Sequence, residues 1–340
     1  MQPSQGRHAR RPPRTRWIAL SAALALIVVG AVTAVVLGHG RGDPEPTAPV
    51  GAYPSESTTP SDAVSTVPTT PTTPTPTGAA STAPAQPTSA PTVDGPVRTA
   101  KKGVSAWNFP AVTAALGDVG ASWYYTWAAQ RGNVSGPTGV EFVPMIWGTG
   151  SVTAATLNQA RAQGSTLLGF NEPDLKEQAN MSVTQALDLW PQLQNTGMRL
   201  GSPAPAFGAA TAGSWFDQFM TGAATRGYRV DFIALHWYGS DFGPAATNQL
   251  RSYLQATYDR YHKPIWLTEY ALINFSGQPK YPTPTQQAAF VTASVRMLES
   301  LSFVERYAWF ALPATDGSGT GLYRPDGSAN EVGQAYRMAR

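Results

Sequence analysis

Between residues 98 and 340, short apolar runs recur eight times, each bounded by polar residues, glycine or proline. Such runs predict strands at 102–107 (KGVSAW), 121–127 (ASWYYTW), 141–148 (EFVPMIWG) and 165–172 (STLLGFNE). Four more follow at 199–204 (RLGSPA), 231–238 (DFIALHWY), 264–270 (PIWLTEY) and 304–311 (VERYAWFA). Helical spacing of apolar positions lies between most of them, at about 152–163, 182–196, 213–226, 246–262 and 285–302. Ser182 with Gln185 three residues on resembles a capping box, and His262-Lys263-Pro264 ends a helix with cations and a proline. Only Ala128 to Val140 is available after the second strand, so the helix there is short or missing. Strands that are apolar throughout, alternating with helices, predict a parallel sheet covered on both faces. Eight such units in one domain fit an α/β (β/α)8 TIM barrel, typically of ~250 residues. An open doubly wound sheet is the alternative, but no glycine-rich phosphate loop follows the first strand.

The first part of the chain has a different pattern. Trp17 to Leu37 contains neither charge nor proline and is long enough, as a helix, to cross a ~30 Å hydrocarbon layer. Residues 1–16 carry Arg7, Arg10, Arg11, Arg14 and Arg16, and cations beside a span stay in the cytoplasm. Residues 17–37 therefore read as a transmembrane signal anchor, or as a signal peptide cleaved near Ala31–Ala34. Residues 38–97 are rich in Pro, Thr, Ser and Ala and poor in large apolar residues, the composition of a disordered linker. The expected layout is a basic cytoplasmic N-terminus, a membrane helix, a linker, and a catalytic domain at 98–340. That domain would sit on the extracellular face of the cell membrane, or be secreted if the helix is removed.

Charge and cysteine narrow the function. The formal net charge is +3, but six of the 24 cations lie between Arg7 and Arg41. The domain itself is almost neutral, which argues against nucleic acid as a partner. The chain has no cysteine, so an exported domain must depend on core burial rather than disulfides. Nine of the ten tryptophans lie in the domain, which suits a flat, uncharged ligand. The histidines are scattered and show no metal-ligand spacing, so no metal or cofactor is expected. Nothing in the pattern calls for a second subunit, and a monomer is expected.

In a barrel the chemistry gathers at the C-terminal ends of the strands. Those ends carry Trp107-Asn108, Trp127, Trp147, Asn171-Glu172, Pro203, His236-Trp237-Tyr238, Glu269 and Trp309. Two carboxyl groups facing each other are what cleavage of a glycosidic bond requires. Aromatic rings offer apolar faces to the C–H groups of a sugar, and an amide beside the acid can bind a sugar hydroxyl. Blander readings remain. Asn-Glu-Pro is also a turn signal, Glu269 could pair with an arginine, and His236 could be a satisfied core histidine. Trp107, Trp127 and Trp147 equally suit barrel packing, and Trp237 should face away from His236 by strand alternation. No Gly-x-Ser-x-Gly elbow is present.

The set GFNEPD (169–174), ALHWYG (234–239) and WLTEY (266–270) resembles glycoside hydrolase clan A. With FVPMIWG (142–148), RLGSPAP (199–205) and GLYRPDGSANEVGQAY (321–336), it is similar to glycoside hydrolase family 128, the endo-β-1,3-glucanases. The resemblance implies Glu172 as acid/base and Glu269 as nucleophile of a retaining reaction. It implies Asn171 on the sugar 2-hydroxyl, His236 and Tyr238 orienting the nucleophile and the sugar, and Trp309 as the floor beneath that sugar. Trp107 and Trp147 are further candidate sugar contacts. The substrate implied is a β-glucan polysaccharide or oligosaccharide. A clan A enzyme for β-1,4-glucan, mannan or xylan, or a noncatalytic wall-binding module, are the alternatives.

Overall fold

A computed structural model of the protein describes residues 95–315 and 319–340. The proposed anchor at 17–37 and residues 38–94 of the proposed linker lie outside the described residues, whereas Val97 at its end donates its N–H to Arg337 (2.9 Å). Among the described residues no helix is long and apolar enough to cross a membrane.

Eight parallel strands form the frame: β1 (Lys102–Ala106), β2 (Trp123–Tyr125), β3 (Glu141–Phe142), β4 (Thr166–Leu167), β5 (Arg199–Leu200), β6 (Ile233–Gly239), β7 (Ile265–Leu272) and β8 (Val304–Leu312). Six are laddered in the order β3-β2-β1-β8-β7-β6, and β4 pairs with β5. Parallel bridges Met145↔Leu168 and Gly201↔Phe232 join these two sheets at both edges, so the order runs round a closed ring. The ladders of β3, β4 and β5 are shorter than the apolar runs that announced them. Pro144 lacks an N–H, and beyond it the chain continues through single backbone bonds, Met145 N–H donating to Ala128 (3.0 Å) and Ile146 N–H donating to Leu168 (3.0 Å) among them.

The helices are α1 (Val112–Asp118), α2 (Ala154–Arg161), α3 (Val183–Gln194), α4 (Trp215–Thr225), α5 (Ala246–Tyr261), α6 (Pro284–Ser300) and α7 (Glu331–Met338). No helix separates β2 from β3, as the short connection required. Ser182 caps α3 by accepting from Gln185 N–H, and α5 ends where His262 turns left-handed at φ 49°. The spacing of apolar residues did not announce α1 or α7. The first has only seven residues and no side-chain cap, whereas α7 is started by Asn330 accepting from Gly333 N–H.

Two apolar layers lie on either side of the strands. The interior holds Trp123, Tyr125, Val143, Met145, Leu168, Phe232, Trp266 and Ala308. Gly103 makes room for Trp123, since a Cβ there would lie 2.4 Å from the indole. At the N-terminal ends of the strands, Arg306 covers the Trp266 ring at 4.4 Å and pairs with Glu141 at 2.6 Å. Arg199 covers Phe232 at 5.0 Å and pairs with Glu305 at 2.7 Å. The second layer, between strands and helices, includes Leu235, Leu267, Tyr270, Phe290, Tyr307, Trp309 and Tyr336. Filling the interior from one end leaves room for polar groups only at the other, where the strands finish.

Candidate active site

β4 runs on past its ladder to Asn171, which bridges Ala204. Asn171 N–H donates to Trp147 (2.9 Å) and Glu172 N–H to Ala204 (2.8 Å), so both neighbouring strands fix this end. Glu172 then adopts φ 41°, a left-handed conformation costly for a residue with a Cβ. Pro173 cannot extend the ladder. Asp174 leaves the site and accepts from Ala206 N–H at 2.9 Å, pinning the loop after β5.

Glu269 reaches the same cavity by an irregularity in β7. Trp266 points inward, so strict alternation would send Glu269 outward. The register with β6 jumps from Leu235↔Leu267 to His236↔Glu269, which inserts one extra residue on β7. Thr268 absorbs it, its hydroxyl donating to Leu235 carbonyl at 3.1 Å. The bulge reverses the phase: Glu269 faces in and Tyr270 faces out among Phe290, Tyr307 and Trp309.

One oxygen of Glu172, one of Glu269 and one ring nitrogen of His236 all lie within 4.8 Å of one another. His236 Nδ1 is 2.8 Å from Glu172 Oε1 and 3.5 Å from Glu269 Oε2. Glu269 Oε1 accepts from the Tyr125 hydroxyl (3.0 Å) and the Trp127 indole N–H (2.7 Å), and its Oε2 accepts from the Tyr238 hydroxyl. All three groups are buried, the two glutamates 8% and 4% exposed. Burial pushes the Glu172 carboxyl above its ordinary range. The His236 contact opposes this, and the charges of Glu269 and Asp174 add to it. Burial disfavours the His236 imidazolium, but Glu269 and Glu172 outweigh it and hold the ring above the usual histidine range. A proton can thus reside on Glu172 or on His236, 2.8 Å apart, without changing the net charge of the cluster.

His236 and Tyr238 share the inner face of β6, while Trp237 stacks outward on Phe290 at 5.7 Å. Asn171 is buried beside Glu172, its amide donating to Gln178 at 3.2 Å. Trp107 stacks on Trp127 with ring centroids 4.4 Å apart, and Trp147 packs half-buried on the interior layer. Trp309 is not brought to this cavity. It is fully buried in the outer layer, its indole donating to Thr320 at 2.8 Å. The next residue, Phe310, faces the cavity instead, 5.5 Å from Trp107, 6.0 Å from Trp127 and 5.6 Å from Tyr238. The expected floor is therefore one residue out, because alternation along β8 gives Phe310 and not Trp309 the inward face. Tyr125 and Phe310 are the site residues that the strand-end reading left out, and Trp127, which it included, had been given no contact with Glu269. Tyr125 carried one signal, standing two residues before Trp127 and so on the same strand face.

A family model of the glycosyl hydrolase catalytic core matches residues 106–336. A family 128 (subgroup I) endo-β-1,3-glucanase from Amycolatopsis mediterranei, solved with laminaritriose, is 65% identical. It matches over 70% of this chain and 99% of its own, with a TM-score of 0.68. A subgroup II endo-β-1,3-glucanase from Sorangium cellulosum is 29% identical over 71% of this chain and 98% of its own, with a TM-score of 0.60. Alkali-sensitive linkage protein 1 of Schizosaccharomyces pombe is 33% identical over 229 residues, 64% of this chain, which spans only 40% of that relative's length. Two buried glutamates across an imidazole, at the mouth of a parallel strand ring matched over nearly the full length of a 65%-identical enzyme, lead to one assignment: this chain belongs to the glycosyl hydrolase catalytic core, as a glycoside hydrolase of family 128.

Proposed function

We propose that this glycoside hydrolase cleaves β-1,3-glucan internally and with retention, using Glu269 as nucleophile and Glu172 as acid/base. The observation that carries the mechanism is the close approach of the two carboxyl groups, with oxygens within 4.8 Å. Retention needs the carboxyls ~5–5.5 Å apart, whereas inversion needs ~6.5–9.5 Å to admit water between acid and base. Glu172, raised by burial, gives its proton to the departing glycosidic oxygen while Glu269 attacks C1. Once Glu269 is esterified its charge is gone, the Glu172 carboxyl becomes more acidic, and Glu172 takes a proton from the attacking water. Three hydrogen bonds fix Glu269, so it attacks from one orientation. Asn171, Trp107, Trp147 and Phe310 are assigned to the sugar.

The linkage is supported by the Amycolatopsis enzyme and its laminari-oligosaccharide complexes. Structures of that enzyme carry substitutions at two glutamates, separated by as many positions as Glu172 and Glu269 are here. On sequence alone we extend the proposal to an exported domain tethered by residues 17–37 and the linker. Protease added to wall-free cells then releases it without lysis.

The test is to incubate residues 95–340 with laminarin, β-1,4-glucan, mannan and xylan and to follow the first product by NMR. Laminari-oligosaccharides released first as the β-anomer support the proposal. The α-anomer first, or preference for another polymer, overturns it. Glu172→Gln and Glu269→Gln lose nearly all turnover while keeping the fold, and azide restores a glycosyl azide product to Glu269→Ala.

A further inference from the structure

The two oxygens of Glu269 are not equivalent. Oε1 accepts from the Trp127 indole (2.7 Å) and from the Tyr125 hydroxyl (3.0 Å), whose single proton the Thr268 carbonyl also faces at 3.0 Å, so Trp127 is its committed donor. Oε2 accepts only from Tyr238 among these donors and is the oxygen nearest His236, at 3.5 Å. Trp127 is held for this contact. Its backbone sits at φ 55°, one of four left-handed non-glycine residues among the described residues, and Glu172 is another. Strain of this kind persists only where surrounding structure enforces it, and it gathers at functional sites. The ring is clamped by Trp107 at 4.4 Å, Tyr125 at 5.1 Å and Phe310 at 6.0 Å.

We propose that Trp127 is a positioning residue that reserves Oε2 of Glu269 for attack and, through its indole N–H on Oε1, stabilises the carboxylate as it departs from the sugar. This rests on the reading of Glu269 as nucleophile. In the first step the C1–Oε2 bond forms, the glycosidic C1–O bond breaks, and Glu172 protonates the leaving oxygen. Glu269 loses charge in that step, so donors on Oε1 weaken and do not accelerate it. In the second step water attacks C1, its proton passes to Glu172, and the C1–Oε2 electron pair returns to the carboxylate. Charge reappears on both oxygens, and the Trp127 N–H bond strengthens as it does. A donor whose bond grows along the reaction coordinate accelerates the step in which it grows. Tyr125 and Tyr238 still hold the carboxylate when Trp127 is changed, so attack itself loses little.

The test uses Trp127→Phe and, at the same position, β-(3-benzothienyl)alanine. The second keeps a bicyclic ring and removes only the N–H, so it separates hydrogen bonding from packing if the phenylalanine variant does not fold. The substrate is an aryl β-laminaribioside with a leaving group that needs no proton, so that release from Glu269 limits turnover. For the folded variants the expected result is a fall in kcat of about 10- to 100-fold, the weight of one hydrogen bond to a charged group. KM falls in parallel, kcat/KM stays within about threefold, and the glycosyl enzyme accumulates in the mass spectrum. A benzothienyl variant with wild-type kcat, or one that loses kcat/KM with KM unchanged, overturns the proposal. Peptide mapping of the trapped sugar separates the two readings: attachment to a residue other than Glu269 brings down the nucleophile assignment itself, whereas attachment to Glu269 with unchanged kinetics brings down only the role of Trp127.

Discussion

His236→Phe is the substitution that weighs the proton-sharing cluster most directly. The ring is fully buried, and Nδ1 lies 2.8 Å from Glu172 and 3.5 Å from Glu269. Phenylalanine keeps a planar ring in nearly the same volume but offers no donor. Burial raises the Glu172 carboxyl, and His236 is the main group pulling it back. A hydrogen bond to a charged group contributes roughly 1.5–3 kcal/mol. At ~1.36 kcal/mol per pH unit, its loss moves the Glu172 titration upward by about one to two units. The sign follows from which form the bond favours. His236 stabilises ionised Glu172, so without it the carboxyl stays protonated to higher pH. The basic limb of kcat/KM, which needs protonated Glu172, therefore moves to higher pH. Meanwhile kcat near neutrality falls, because the second step needs Glu172 ionised. The assay is the pH profile on laminarihexaose, with circular dichroism at each pH to verify folding. An unmoved basic limb would show that Glu172 does not set it. A limb that vanishes would assign it to the titration of His236 itself.

Three further outcomes are expected. Trp309→Ala should cost about 3–5 kcal/mol of stability in urea unfolding and leave KM nearly unchanged, while Phe310→Ala should raise KM with the smaller loss of stability; equal effects on KM would undo the assignment of inward and outward faces on β8. Gly169→Ala would set a Cβ 2.7 Å from the Ser202 carbonyl and push β4 off β5, costing about 1–3 kcal/mol and lowering kcat about tenfold or more; unchanged kcat would mean that the end of β4 does not position Glu172. Lys102 is buried, over the Tyr336 ring at 4.8 Å, and desolvation brings its amine down to about 7, opposed by Glu299. The unfolded chain then binds more protons than the folded one above pH 7, so stability should rise from pH 7 towards 10 by roughly 1 kcal/mol per unit. Lys102→Met should lack that rise in pH-dependent urea melts, and a rise of the same slope would assign it elsewhere.

The local pattern by itself determined a good deal. Eight apolar runs with helical spacing between them predicted a parallel sheet covered on both faces, and the closed ring chose the barrel over the open sheet. Asn-Glu-Pro marks a strand end from local chemistry alone, because proline lacks the N–H and cannot continue a ladder. His236 and Tyr238 share a face because alternation in β6 is uninterrupted between them. What the sequence could not decide lies where that alternation breaks or where long-range contacts choose among equivalent rings. In β7, Trp266 and Glu269 both face inward only because Thr268 is bulged against β6, and nothing within WLTEY announces a bulge set by pairing with another strand. In β8, Trp309 and Phe310 are both large aromatics at a strand end, and only the register with β1, Val104↔Trp309, fixes which faces the cavity. The tie between Trp127 and Glu269 spans 142 positions and depends on a left-handed backbone that no tryptophan prefers. Strand periodicity is a nearest-neighbour property of the chain. A hydrogen bond between the segment after β2 and β7 exists only once the ring has closed.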